Sequence, residues 1–159
     1  MDITPASTSV IIIDDDTVLI GWNSVSYEFS EDSGFATVCT EIIEGDVARP
    51  VAVIYSILDG TAQSNSDSVD DDNLNLINTH MYHIGQDDFL VPFSNMEFIF
   101  QPETARLQPH CSNISIRDDN ILESDESFSV TLSSSDSAVV TDPSTTTVTI
   151  INDDSKFHN

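Results

Sequence analysis

Six carboxylate or carboxamide side chains, Asp118, Asp119, Asn120, Glu123, Asp125 and Glu126, fall within nine consecutive positions. A donor set made only of oxygen suits Ca2+, which takes about six to eight oxygens at ~2.3–2.6 Å. Without a cation, that many carboxylates in one turn repel one another. The EF-hand loop does not describe the segment. Neither it nor Asp70-Asp71-Asp72-Asn73 has glycine at the sixth position and glutamate at the twelfth. Catalysis finds less support. Paired carboxylates hydrolyse glycosides when ~5–9.5 Å apart, but in so dense a cluster neighbouring charges blur the split between acid and base. The chain carries no nucleophile elbow, phosphate-binding glycine loop or HExxH. It reads as a binding module, not an enzyme.

Strands must position these groups. Period-2 apolar patterning with β-branched residues predicts strands at Val25–Phe29, Ala36–Ile42, Val51–Leu58, Met96–Phe100, Cys111–Arg117, Phe128–Leu132 and Thr146–Ile151. Clusters of Gly, Pro, Asp, Asn and Ser separate them. No segment shows a helical stripe. About seven short strands predict an all-β, antiparallel β-sandwich. Residues 63–85 are polar and too long for an ordinary hairpin; loops of that kind are functional or disordered. Asp70–Asp72, His80 and His83 fall in this stretch and read as surface residues. Trp22 and Tyr27 read as packing residues.

An echo marks the organisation. Val10-Ile11-Ile12-Ile13-Asp14-Asp15-Asp16 matches Val148-Thr149-Ile150-Ile151-Asn152-Asp153-Asp154. A tandem array accounts for it. Residues 1–16 are then the last strand of a preceding repeat or a linker, 17–154 one domain, and 155–159 a linker tail.

Charge narrows the function further. There are 28 acidic against 4 basic residues, a net charge of −24. Such a surface repels nucleic acid and anionic lipid. The longest apolar runs are strand-sized, short of the ~20 residues that span a bilayer. Met1-Asp2-Ile3-Thr4 does not open a secretory signal.

Several pieces, in order, carry a family resemblance. They are Ser30-Glu31-Asp32-Ser33-Gly34, Asp59-Gly60-Thr61-Ala62, Asp87-Asp88-Phe89 and Phe98-Ile99-Phe100-Gln101-Pro102-Glu103-Thr104. The 118–128 segment and Thr147-Val148-Thr149-Ile150-Ile151-Asn152-Asp153-Asp154 complete the set. Together they resemble the Calx-beta domain of sodium/calcium exchangers, integrin β4, a very large adhesion receptor and sponge aggregation factors. The resemblance implies an immunoglobulin-like sandwich with Ca2+ at one end. It places the ligands on Glu31, Asp88, Asp118, Asp119, the Ile121 carbonyl, Glu123, Glu126, Asp153 and Asp154. Asn120 and Asn152 depart from it, standing where calcium-binding members tend to have Asp. Each keeps a carbonyl oxygen and removes a charge. The 63–85 insertion exceeds the family's usual short loop.

With immunoglobulin-like pairing, Glu31, Asp59, the 63–88 loop, the 118–126 turn and residues 152–154 converge on one pole, and Asp14–Asp16 lie near the other. Strand parity sets Cys39 and Cys111 on the outer face of neighbouring strands, within disulfide reach at a Cα separation of ~5.5–6 Å. Asn113, in the glycan acceptor Asn113-Ile114-Ser115, shares that face. A disulfide with a glycan indicates an extracellular location. The expected function is a Ca2+-binding structural or adhesion module of a large extracellular repeat protein. Its partners are neighbouring tandem repeats, and adhesion proteins or glycans. The alternatives are an intracellular Ca2+-sensing domain of an exchanger-like transporter and a metal-free spacer.

Overall fold

Alternating side chains need two surfaces, one toward a core and one toward solvent. The computed structural model, which describes residues 17–64, 87–91, 96–102, 108–134 and 138–154, meets that need with two five-stranded sheets packed face to face. The strands are β1 (Val18–Trp22), β2 (Ser26–Ser30), β3 (Phe35–Glu44), β4 (Val51–Asp59) and β5 (Phe89–Leu90). They continue with β6 (Glu97–Phe100), β7 (His110–Ile116), β8 (Glu126–Ser134), β9 (Ala138–Val140) and β10 (Thr145–Ile151). One sheet runs β5-β7-β3-β1-β9 and the other β2-β10-β8-β4-β6. Trp22, Phe89, Phe100 and Phe128 are the largest side chains fully buried between them.

The seven expected strands are β2, β3, β4, β6, β7, β8 and β10. Three more exist. β1 escapes a period-2 reading because it is apolar at nearly every position, and four of its five residues are buried. β5 and β9 have two and three residues, too few to show a period. Pairing is antiparallel except for β1 with β9 and β10 with β2. Both exceptions arise where the chain steps from one sheet to the other, after β1 and after β9. Each step gives an edge strand a parallel partner.

Strand direction builds the two ends. β3 begins beside the end of β7, and Ile116 N–H donates to Gly34 O at 3.0 Å. β10 ends beside the start of β8, with Ile150 opposite Glu126. β4 ends there too, with Asp59 opposite Phe128. Thr17, the first described residue, lies at the far end near Gly45. Residues 1–16 and 155–159, and with them the acidic run Asp14–Asp16 and the proposed linkers, lie outside the described residues.

Cys39 and Cys111 face each other directly across β3 and β7 and form a disulfide. Their Cα atoms are 4.0 Å apart, closer than the ~5.5–6 Å expected. The bond from Ile116 to Gly34 places the hydrogen-bonded rungs at the even positions of β3. Cys39 therefore occupies a non-hydrogen-bonded rung, where opposed Cα atoms come to ~4.5 Å. Asn113 is exposed on the same face, and its side-chain oxygen accepts from Thr37 Oγ1 at 2.8 Å.

Candidate metal centre

Four separate stretches of chain meet at the end where β3 starts and β7 and β10 finish. Each is placed by a local device. Ser30 closes β2, and a single 3-10 turn, Glu31–Ser33, follows. That turn stops at Gly34, whose φ of 75° lies in the left-handed region that favours glycine. Glu31 is thereby turned inward and is only 7% exposed.

Asp88 is set by the crossing of two strand ends. Asp88 N–H donates to Gln63 O at 2.9 Å, and Gln63 N–H donates back to Asp88 Oδ2 at 2.6 Å. Behind it, the Phe89 ring stacks on Phe128 with centroids 4.1 Å apart. Glu126 lies two residues before Phe128, so this apolar stack ties β5 and its carboxylate to β8 and its own. Gly60 tightens the same corner, because a Cβ there would stand 2.3 Å from Ser127 O. Thr61 Oγ1 accepts from Ser127 N–H at 2.8 Å.

The 118–126 segment spans the gap from β7 to β8 without regular structure. Asp119 Oδ1 accepts from Ile121 N–H at 2.6 Å, a local turn that shapes it. Oxygens of Asp88, Glu123 and Glu126 all lie within 4.8 Å of one another. Glu31, Ser124 and Asn152 line the same cavity, with Arg117 at its rim. Arg117 turns to Asp87, 3.5 Å away, in an exposed pair.

Electrostatics record the crowding. Burial, then the charge of Asp119, pushes the Glu31 carboxyl up to about 7. Burial, then a hydrogen bond that the protonated Glu126 carboxyl can donate to Asp88, pushes Glu126 up to about 7 as well. Glu123 is raised by desolvation and by Asp88, Asp119 and Asp154. Asp153 is raised by desolvation, then by Asp32 and Asp118. Asp154 Oδ2 is buried with no hydrogen-bond partner. Buried acceptors almost always have partners. An orphaned carboxylate oxygen beside carboxyls that resist ionisation fits a divalent cation.

The structure brings together all nine residues that the sequence singled out. Glu31, Asp88, Asp119, Glu123, Glu126 and Asp154 form the inner group. Asp118 and Asp153 lie on its outer side toward Asp32. The Ile121 carbonyl is reached through Asn152, whose Nδ2 donates to it at 3.1 Å and to Glu31 Oε2 at 3.3 Å. That donor role was not legible from the sequence, which marked Asn152 only by the charge it lacks. Gln63 was also missed, and Asp125, counted among the six oxygen-bearing side chains, has a structural contact that the sequence did not indicate. Asp125 Oδ1 accepts from Asn152 N–H at 3.2 Å. Asp70–Asp72, His80 and His83 lie outside the described residues.

None of the curated proteins compared with the chain matches it in sequence. Solved structures do. The apo-form Calx CBD1 domain is 23% identical over 87% of this chain and 99% of that one, with a TM-score of 0.65. The CBD12 structure from CALX1.2 is 23% identical, covering 86% of this chain, at a TM-score of 0.64. CBD12 of CALX1.1, described as a calcium binding domain, is 24% identical over 85% of this chain, at 0.63. This chain spans 44% of each CBD12 structure. At such identities the likeness concerns the fold. The family profile of the Calx-beta domain matches residues 13–74 and 85–154. With that match covering most of the sequence, the chain belongs to the Calx-beta domain family.

Proposed function

We propose that this chain is a Ca2+-binding structural module of a large extracellular multi-repeat protein, with an adhesive role. The observation that carries the reading is the convergence of Glu31, Asp88, the 118–126 segment and Asp154 on one end, with Asp154 Oδ2 buried and unpartnered. Glu31, Asp88, Asp119, Glu123, Glu126 and Asp154 hold the ion, with Asp118, Asp153 and the Ile121 carbonyl on its outer side. Ca2+ supplies a positive centre that offsets their repulsion. The chain's part is to keep the donors in place, through the Phe89–Phe128 stack and the bonds between Gln63 and Asp88. The domain then runs over residues 17–154, and neighbouring tandem repeats join at residues 1–16 and 155–159. The longer CBD12 chains support a module joined to others. The reading involves no catalysis, nucleic acid or membrane insertion. No helix among the described residues is long and apolar enough to cross a membrane.

Calorimetric titration with Ca2+ tests the reading. Saturable binding is expected, weakened in Asp88→Asn and Asp119→Ala. Melting should shift upward, since an ion bound only to the folded form adds ~2.7 kcal/mol at about one hundred times its dissociation constant. No heat and no shift at about 5 mM Ca2+, above the ~10⁻⁴–10⁻³ M of weak extracellular modules, would leave the metal-free spacer.

The disulfide and the exposed Asn113 support the extracellular setting. The likeness to Calx domains supports a second reading, an intracellular Ca2+-sensing domain of an exchanger-like transporter. Mass spectrometry of the native protein separates them. A Cys39–Cys111 bond with a glycan on Asn113 favours the first; free thiols and a bare Asn113 favour the second.

A further inference from the structure

The acidic end is not uniform. Asp88, Glu123 and Glu126 gather oxygens within 4.8 Å of one another. A few residues away, Glu31 and Ile121 are bridged differently. One side-chain nitrogen, Asn152 Nδ2, donates to Glu31 Oε2 at 3.3 Å and to Ile121 O at 3.1 Å. A carboxamide nitrogen has two hydrogens, so both are used. The backbone of the same residue is fixed by donation from Asn152 N–H to Asp125 Oδ1.

Those geometries make the amide a competitor for a metal. A cation on Glu31 Oε2 and Ile121 O would sit ~2.3–2.6 Å from each. The NH2 group stands on the lone pairs such an ion needs, with its hydrogens aimed where positive charge would go. We infer that Asn152 is a resident occupant of the gap between Glu31 Oε2 and Ile121 O, excluding from that gap a further divalent ion beyond the one held by the carboxylates named above. The inference rests on the Ca2+ reading above and concerns how many ions that site takes. It also gives Asn152 a role without metal: with the Asp119 backbone N–H, it donates to buried Glu31.

Two variants test it, with ions per chain counted by calorimetry and by metal analysis after equilibrium dialysis. Asn152→Asp removes both donors and adds an acceptor. It should lower the melting temperature in chelator and raise the ion count by at least one. Asn152→Ala removes the donors without adding charge. It should bind Ca2+ at least as tightly as the parent chain, since it frees Glu31 Oε2 and Ile121 O. In the parent chain, the Asn152 side-chain amide resonances should remain in place through saturation with Ca2+. If Asn152 is instead a ligand through Oδ1, Asn152→Ala binds severalfold more weakly and the amide resonances move on titration. Either result overturns the inference. So does an unchanged ion count in Asn152→Asp when the parent chain binds. The calcium reading fails separately, by absence of binding to the parent chain. In that case uptake by Asn152→Asp alone still supports the resident amide, and uptake by neither variant overturns it.

Discussion

Two regions of the sandwich are held together by opposite means. Midway along the sandwich, where β1 and β9 stop and the chain crosses between the sheets, the backbone and indole groups find partners within the protein, although the Thr146 hydroxyl is buried with none. Trp22 N–H donates to Pro143 O at 2.8 Å, Leu132 N–H to Ser144 O at 2.8 Å, and Trp22 Nε1 to that same oxygen at 3.2 Å. The Trp22 ring packs edge-on against Tyr55 and Phe98, with centroids 6.4 and 6.0 Å away. The acidic end has an apolar floor too, but above it acceptors outnumber donors. Two carboxyls there stay protonated to about pH 7, and one oxygen has no partner. The crossing is held by bonds within the chain, whereas the acidic end gathers carboxyls that something positive would offset.

That contrast can be broken most forcefully at the crossing. Trp22→Ala should cost ~3–5 kcal/mol, read by denaturant unfolding. The loss should be the same in Ca2+ and in chelator. A loss that depends on Ca2+ would mean the two regions are not separable. The disulfide lies beside the same region, on the rung next to Thr40 and His110, and Thr40 in turn pairs with Trp22. Replacing both cysteines with serine should cost ~2–4 kcal/mol, again independent of Ca2+.

At the acidic end the signs should differ between conditions. Glu126→Gln should stabilise the ion-free chain slightly, by removing a carboxyl that must hold its proton. It should also weaken Ca2+ binding about ten- to a hundred-fold. Paired melts in chelator and in Ca2+ check both signs. The smallest effect concerns pH. Glu31 and Glu126 have folded values raised to about 7 from the ordinary 4.5. Between those values the folded form holds protons that the unfolded form has released. Stability in chelator should therefore fall as pH rises through about 5 to 7, and Ca2+ binding near neutrality should release protons. Stability that rises with pH over this window would show that the carboxyls are not crowded.

The contrast also explains which parts were legible in the sequence. Strands with one face inward, such as β3 and β7, declare themselves by alternation. That same parity set Cys39 and Cys111 on one face, and the bond is there. β1 could not be read this way, because it is apolar on both faces. The acidic end was legible because Asp118–Glu126 and Asp153–Asp154 follow or precede readable strands, so their convergence follows from strand direction. What was hidden depends on atoms, not on residue type. Asn152 reads as a missing charge; only coordinates show a donor bridging two oxygens. The Phe89–Phe128 stack was hidden too, since a two-residue strand shows no period.

The mutual bonds between Gln63 and Asp88 have a further consequence. They pin together the two points between which residues 65–86 run, and a parallel bridge between Ser64 and Phe89 reinforces the clasp. Once the ends of a segment are held side by side, lengthening it is cheap: each doubling adds only ~0.6 kcal/mol of closure entropy. The family profile skips residues 75–84 at this place. The clasp thus works as a splice port, where evolution or an engineer can graft foreign sequence while the framework beneath stays in register.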